Sequence, residues 1–155
     1  MSLDTHQKSN LYGVAQGIFM VLYAIVFFVV PGRWLFESDA ASIAGDVLAL
    51  AGLLLMAAAF VSLRKVIQIV PEPRADGQLI TGGVYRRLRH PIYSGIVLII
   101  LGLFLREPAI GVAICGAAVT LFLVIKSRFE ERLLAGRYPD YAEYRKHTWG
   151  VLPGL

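Results

Sequence analysis

The stretch PIYSGIVLIILGLFLREPAIGVAICGAAVTLFLVI, residues 91–125, contains two apolar runs separated by one short charged turn. The runs are Ile92–Leu105 and Ala109–Ile125, and the turn is REP, residues 106–108. A connection this short joins neighbouring helices in antiparallel order, and proline is tolerated in the first turn of the helix that follows. The stretch therefore predicts an antiparallel pair of apolar helices.

Two more apolar runs, Leu11–Val30 and Ile43–Leu63, lie upstream and are long enough to cross a bilayer. A crossing takes about 20 helical residues. Ile92–Leu105 has 14 residues, so we expect the third helix to extend backwards through His90 and Pro91, or to lie where the bilayer is thin. At 57% hydrophobic and 17% charged residues, the 155-residue chain is too apolar for a soluble domain. We predict an all-α, polytopic integral membrane protein, a single domain over residues 1–155 with four transmembrane helices at about 11–30, 43–63, 91–105 and 109–125.

Basic residues are distributed unevenly among the predicted loops. Arg33 and Arg106 lie in the first and third loops. The other 13 lie in the N-terminal tail, the middle loop and the segment after the fourth span: Lys8; Arg64, Lys65, Arg74, Arg86, Arg87 and Arg89; Lys126, Arg128, Arg132, Arg137, Arg145 and Lys146. Because Lys-rich and Arg-rich loops stay in the cytoplasm, we expect both termini there, with anionic lipid headgroups against these cations.

The C-terminal segment Lys126–His147 is charged but keeps one apolar and aromatic face. That face carries Leu134, Tyr138, Tyr141 and Tyr144. Such a segment lies in the headgroup layer rather than crossing it. We predict an interfacial helical segment, broken near Pro139, with the tyrosines as interfacial anchors.

Two charged clusters flank the predicted hairpin. Residues 82–93 read GGVYRRLRHPIY, and the pair Glu130-Glu131 follows 37 residues later. An antiparallel hairpin returns the second cluster to the membrane face where the first begins. Ionisable groups that converge at a membrane tend to be functional, although Glu131 by itself is typical of a solvated helix end. The residues expected to converge are Tyr85, Arg89, His90, Tyr93, Lys126, Arg128, Glu130 and Glu131.

Several kinds of site are not indicated. Cys115 is the single cysteine and lies within a span, so no intramolecular disulfide forms. The three histidines lack metal-ligand spacing, so we expect no metal site. No Ser-His-Asp or Cys-His arrangement is present, and we expect no nucleic-acid partner. The oligomeric state is not readable from the sequence.

Five motifs occur in a characteristic order: LITGGVY (79–85), RHPIY (89–93), EERLL (130–134), GRYPDYAEY (136–144) and LP (152–153). In this order they resemble the isoprenylcysteine carboxyl methyltransferase family and its phospholipid N-methyltransferase relatives, over about residues 71–155. The resemblance implies a membrane-embedded, S-adenosylmethionine-dependent methyltransferase that releases S-adenosylhomocysteine, with residues 71–155 as the cofactor-binding core. Its acceptor would be lipophilic and drawn from the bilayer at the cytoplasmic face.

The resemblance also implies roles for individual residues. The cofactor-binding residues would be Gly77, Gln78, Leu79, Ile80, Tyr85, His90, Pro91, Ile92, Tyr93 and Glu130. Arg89, Lys126 and Glu130 would act at the reacting centre, with Lys126 or Arg128 facing the acceptor. Glu130 suits the cofactor's ammonium or ribose, Arg89 or His90 its carboxylate, and Tyr85 or Tyr93 its adenine or sulfonium.

The chain departs from the family pattern at several positions, and the departure at Lys126 leaves the acceptor open. Gly83 stands where proline is frequent, and Lys126 where arginine is usual. Lysine cannot form a planar two-pronged contact with a carboxylate. An isoprenoid carboxylate or thiol and a phospholipid amine all remain candidates. Alternative functions are an NADPH-dependent membrane sterol or lipid reductase, since such enzymes share a similar RHPxY hairpin, and a non-catalytic membrane protein that keeps the fold.

Overall fold

In the computed structural model, residues 5–29, 35–69, 79–152 and 154 are described. The chain is helical across these ranges, which contain no β-strand, and this confirms the all-α prediction. A short 3-10 turn, Gly83–Arg86, precedes the third helix. The α-helices are α1 Thr5–Val29, α2 Asp39–Ile69, α3 Pro91–Arg106, α4 Ile110–Arg137 and α5 Tyr141–Lys146.

Three of these helices are long and apolar enough to cross a membrane: Gln7–Val29, Asp39–Arg64 and Ile110–Arg137. With 16 residues, α3 is shorter, about 24 Å at 1.5 Å per residue. It begins at Pro91, so it takes in only part of the expected backward extension. The chain is thus a multi-pass membrane protein with three candidate spans and one shorter apolar helix. A fourth crossing stays a prediction.

The helix boundaries follow local signals. At the start of α2 the Ser38 hydroxyl accepts a hydrogen bond from the backbone N–H of Ala41 at 3.3 Å, as an N-cap residue does. Pro91 occupies the first turn of α3, where its missing N–H costs nothing. Pro108 precedes α4 rather than lying in its first turn, and its carbonyl accepts the N–H of Leu35 at 2.8 Å.

Glycines allow α2 and α3 to pack backbone against backbone. Gly45 and Gly52 on α2 face Gly102 and Gly95 on α3, and a Cβ atom at any of the four would collide with the opposite helix. Small residues permit this close approach in membrane helix pairs. An ion pair between Arg106 and Asp46 closes one end of the contact. Asp46 is the eighth residue of α2, beyond its first turn, so it acts as a pairing residue to α3 rather than as a helix N-terminal charge.

A small core joins α1, α3 and α4. Tyr23, Ile100, Val119 and Leu123 are buried there, and the Tyr23 hydroxyl donates to the Ile100 carbonyl at 3.2 Å. Most other apolar side chains of α1 and α2 point outward, with Phe28 80% exposed. An apolar exterior of this extent fits lipid rather than water.

The structure changes the prediction for the C-terminal segment. Its first twelve residues, 126–137, continue α4 without a break instead of forming a separate helix. The chain then turns at Tyr138–Asp140, near Pro139 as expected, and enters α5. The site described next lies on this extension of α4.

Candidate functional site

The loop before α3 is tied to the C-terminal tail by backbone hydrogen bonds. The N–H of Arg89 donates to the Trp149 carbonyl at 2.7 Å, and the N–H of Trp149 donates to the Arg87 carbonyl at 2.9 Å. One turn into α3, the Ser94 hydroxyl donates to the Val151 carbonyl at 2.8 Å. These contacts hold together residues some 60 positions apart in the sequence, next to the C-terminal part of α4.

A buried ion pair reinforces this arrangement. Arg89 Nε donates to Glu131 Oε1 at 2.8 Å, with side chains only 5% and 9% exposed. The same guanidinium donates through Nη1 to the carbonyls of Arg145, at 3.1 Å, and Thr148. Glu131 is therefore not the solvated helix end that the sequence indicated. It holds the loop, α4 and the tail together.

Glu130, the neighbouring carboxylate, faces a different environment. Its Oε1 accepts a hydrogen bond from the Tyr93 hydroxyl at 2.7 Å, and its Oε2 lies 3.7 Å from His90 Nδ1. The His90 and Tyr93 rings stack, with centroids 5.4 Å apart and planes 3° from parallel. The Glu130 side chain keeps 34% of its surface exposed, so it can still reach a ligand.

Lys126 lies one helical turn before Glu130 and borders it. Lys126 Nζ is 3.7 Å from Glu130 Oε1 and 5.3 Å from the centroid of the Tyr93 ring, a cation–π distance. It also donates to Gln16 Oε1 on α1 at 2.5 Å. Gln16 carries no motif signal, and sequence reasoning missed it.

A cavity of about 230 Å³ opens where these side chains meet. Six of the ten residues predicted to bind a cofactor line it together. The lining residues are Tyr85, Arg89, His90, Pro91, Ile92, Tyr93, Glu130 and Leu134.

A second cavity of about 180 Å³, with tyrosines as half of its lining residues, shares Tyr85, Arg89 and Leu134 with the first. Leu79 and Ile80, also predicted cofactor contacts, line it with Tyr138, Tyr141 and Tyr144. Two predicted contacts, Gly77 and Gln78, lie outside the described residues.

The tyrosines of α5 point into the protein, which corrects their prediction as interfacial anchors. Tyr141 is 1% exposed, and the Tyr144 hydroxyl donates to the Tyr85 carbonyl at 2.6 Å. Burial raises the pKa of each phenol to about 12. The buried Tyr141 hydroxyl finds no hydrogen-bond partner among the described residues.

Arg128, the other predicted candidate for facing the acceptor, lies elsewhere on α4. It lines a third cavity of about 270 Å³, together with Ser127, Glu131 and Arg145. Lys126, not Arg128, borders the carboxylate Glu130. Over the described residues no cluster of three or more His, Cys, Asp or Glu side chains could hold a metal ion.

Gly83 explains one departure from the family pattern. Its φ is +62°, and a Cβ atom there would collide with the Ser62 hydroxyl of α2. Proline locks φ near −65°, so it cannot adopt this conformation. In this chain the loop that carries Tyr85 therefore requires glycine at position 83.

Comparison with known proteins finds a family and a relative. A family model described as phospholipid methyltransferase matches residues 40–141, about two thirds of the chain. The chain is also 36% identical over 83 residues to the cobalt-zinc-cadmium resistance protein CzcN of Cupriavidus metallidurans. That alignment covers 53% of this chain and 38% of the relative, so the chain spans well under half of the relative's length. No solved structure matches the chain.

Proposed function

The chain belongs to the phospholipid methyltransferase family, and from that premise we propose that it transfers a methyl group from S-adenosylmethionine to a lipophilic acceptor. The observation that carries the proposal is the cavity in which Glu130, His90, Tyr85 and Tyr93 converge. In this proposal residues 1–155 act as one membrane methyltransferase domain, with residues 71–155 as the cofactor-binding core.

The side chains of the two joined cavities fit the chemistry of this cofactor. Glu130 offers a carboxylate for the ammonium or the ribose hydroxyls. The stacked His90 and Tyr93 rings offer aromatic faces to a sulfonium. The adjoining aromatic cavity suits a planar ring system, and the unpartnered Tyr141 hydroxyl there supplies a hydrogen-bonding group.

When bound, the cofactor supplies an electrophilic methyl group on sulfur. The chain's own residues then act by positioning and by excluding water, which can supply most of the rate. Tyr93 holds Glu130 in one orientation, and Lys126 stands beside both at the wall toward α1. Arg89, predicted at the reacting centre, is proposed to position His90 and Glu131 through its buried hydrogen bonds.

The acceptor is proposed to be lipophilic, since α1 and α4 present apolar surface next to Lys126. The family description favours a phospholipid amine, and an isoprenoid carboxylate or thiol remains a second class. A carboxylate would meet the single point charge of Lys126 rather than a guanidinium fork. Either way, the transfer needs no enzyme nucleophile.

The proposed topology has four crossings and both termini in the cytoplasm. The short α3 would cross by local thinning of the bilayer, at a cost of a fraction of a kcal/mol per Å of mismatch. This places Glu130, Lys126 and α5 at the cytoplasmic face. Arg86 and Arg87, both exposed, would then meet anionic headgroups.

The test is calorimetric binding of S-adenosylhomocysteine to the detergent-solubilised protein. We expect micromolar binding that weakens about tenfold, or about 1.4 kcal/mol, in Glu130→Gln. The matched control is Glu143→Gln, which removes an exposed carboxylate paired with Lys146 and His147 on α5; its affinity should equal that of wild type. A folded wild type that does not bind S-adenosylhomocysteine would overturn the cofactor assignment.

A further inference from the structure

A groove of about 820 Å³ runs between α1 and α4, outside the site described above. Its volume is within the range of sites that hold small ligands. Its walls are mostly apolar and aromatic, and two cations complete the lining. The lining residues are Lys8, Leu11, Tyr12, Ala15, Phe122, Phe129, Arg132 and Leu133.

The two cations lie at the same end of the groove. The Tyr12 ring lies 4.9 Å from Phe129, and the Phe19 ring lies 4.8 Å from Phe122, so α1 and α4 run antiparallel here. Lys8 and Arg132 therefore both lie about one turn beyond the Tyr12–Phe129 contact. The groove has an aromatic interior and a cationic mouth.

These charges are available to a ligand. Both side chains are exposed, and none of the described residues that line the groove is acidic. Among the described residues neither Lys8 nor Arg132 forms an ion pair. An apolar channel ending in two such cations complements an amphiphile with an anionic headgroup.

The groove adjoins the proposed reaction site. Lys126 lies on the same face of α4 as Phe122 and Phe129, and its contact with Gln16 crosses between the two helices. Beyond that contact lie Glu130 and the Tyr93 ring. Glu130 and Arg132 are about 3 Å apart along the helix axis but point about 160° apart around it, and Lys126 lies between them. The headgroup of an acceptor in the groove would therefore reach Glu130 past Lys126.

We infer that this groove binds the methyl acceptor, an anionic amphiphile whose hydrocarbon chain packs along Tyr12, Phe122 and Phe129 and whose phosphate is held by Lys8 and Arg132. This inference rests on the proposed function, which it extends by naming the acceptor's binding surface and headgroup charge. Lys and Arg donors form charge-assisted hydrogen bonds with phosphate. An aqueous phosphate would gain nothing from the apolar walls.

A binding experiment on the detergent-solubilised protein, read by native mass spectrometry, uses three probes. They separate the contribution of the lipid's hydrocarbon chain from that of its phosphate. Oleoyl lysophosphatidic acid carries both features, monoolein carries the chain alone, and glycerol 3-phosphate carries the phosphate alone. We expect the first to bind more tightly than monoolein and much more tightly than glycerol 3-phosphate. Glycerol 3-phosphate binding as tightly as the lipid would overturn the inference in favour of a free-phosphate site.

Substitutions then locate the binding surface. The double variant Lys8→Gln with Arg132→Gln should bind lysophosphatidic acid about tenfold more weakly than wild type does and should bind monoolein with unchanged affinity. The charge-matched control, Arg86→Gln with Arg87→Gln, removes two exposed cations that do not line the groove. Their proposed headgroup contacts are with the bilayer, so in detergent this control should leave both affinities unchanged. Ala15→Trp, which fills the groove, should lower the affinity for both lipids. Equal weakening by the control pair would overturn the groove as the binding site.

S-adenosylhomocysteine calorimetry on the same variants separates the two proposals. The groove variants should bind it as wild type does. Retained S-adenosylhomocysteine binding without cation-dependent lipid binding would overturn the groove alone. Cation-dependent lipid binding in a protein that does not bind S-adenosylhomocysteine would support the groove and overturn the methyl-transfer proposal.

Discussion

Glu130 and Glu131 are adjacent in sequence and serve different purposes. Successive residues of a helix point about 100° apart, so two neighbours on α4 cannot face the same surroundings. Glu131 turns inward to the buried Arg89 guanidinium, and Glu130 turns toward the cavity and Tyr93. Removing one partner of a buried pair leaves the other charge uncompensated, so we interpret Glu131 as structural and Glu130 as the ligand-facing carboxylate.

The hydroxyls of Tyr141 and Tyr144 are predicted to respond oppositely to removal. In the ligand-free protein Tyr141→Phe should leave the free energy of unfolding unchanged or raise it, because the buried hydroxyl lacks a partner among the described residues. Tyr144→Phe should lower it by about 1 kcal/mol, because it loses the bond to the Tyr85 carbonyl. Denaturant titration in detergent measures both. If the Tyr141 hydroxyl binds the cofactor, Tyr141→Phe should also weaken the binding of S-adenosylhomocysteine.

The pH of this comparison matters because burial raises the pKa of both phenols to about 12. Below about pH 9 both remain protonated in the folded and unfolded chain, so the two variants should differ from wild type by constant amounts. Above pH 10 the unfolded chain releases these protons first, and wild-type stability should fall as pH rises toward 12. If the stability of Tyr141→Phe fell as steeply above pH 10 as that of wild type, this result would contradict burial of the Tyr141 phenol.

Among the elements, α4 departs furthest from its predicted bounds. Its apolar run ends at Ile125, yet the helix continues to Arg137. Hydropathy shows where the apolar part of a helix ends, not where the helix itself ends. Here the helix ends next to Tyr138, the residue before Pro139, because a residue that precedes proline disfavours the helical conformation. The twelve extra residues carry Lys126, Glu130 and Glu131, and so provide one side of the site.

The pairing of α2 with α3 depends on glycine, and Gly52→Ala should show it. An added Cβ would press on the Gly95 carbonyl and on Ile99, and overpacking of this kind costs about 1–3 kcal/mol. The control is Gly17→Ala on α1, where a Cβ meets nothing within 4 Å and helix propensity favours alanine. Thermal unfolding in detergent should place Gly52→Ala below wild type and Gly17→Ala at or above it. Equal midpoints for both would argue against close α2–α3 packing.

For the whole molecule, the number of crossings is decided by which side of the membrane each turn occupies. On a Cys115→Ala background, we expect cysteines at Ser38 and Glu107 to react with an impermeant maleimide on intact cells. A cysteine at Lys146 should react only after permeabilisation. These results follow from four crossings with cytoplasmic termini.

A three-span protein would give a different labelling pattern. If α3 did not cross, Glu107 would stay on the cytoplasmic side and Lys146 would be labelled from outside. The short length of α3, 16 residues, makes this the informative comparison. Labelling at Glu107 therefore tests the fourth crossing directly.

The sequence alone determined the all-α class, the positions of the apolar helices and the convergence of the RHPIY and EERLL motifs. These follow from hydropathy, helix length and a short hairpin turn, which are local properties of the chain. It could not determine that Glu131 is buried, that Tyr141 and Tyr144 face inward, or that Gln16 contacts Lys126. Those depend on which faces of α1, α4 and α5 meet, and because the contacts join residues up to 110 positions apart, only the tertiary structure decides them.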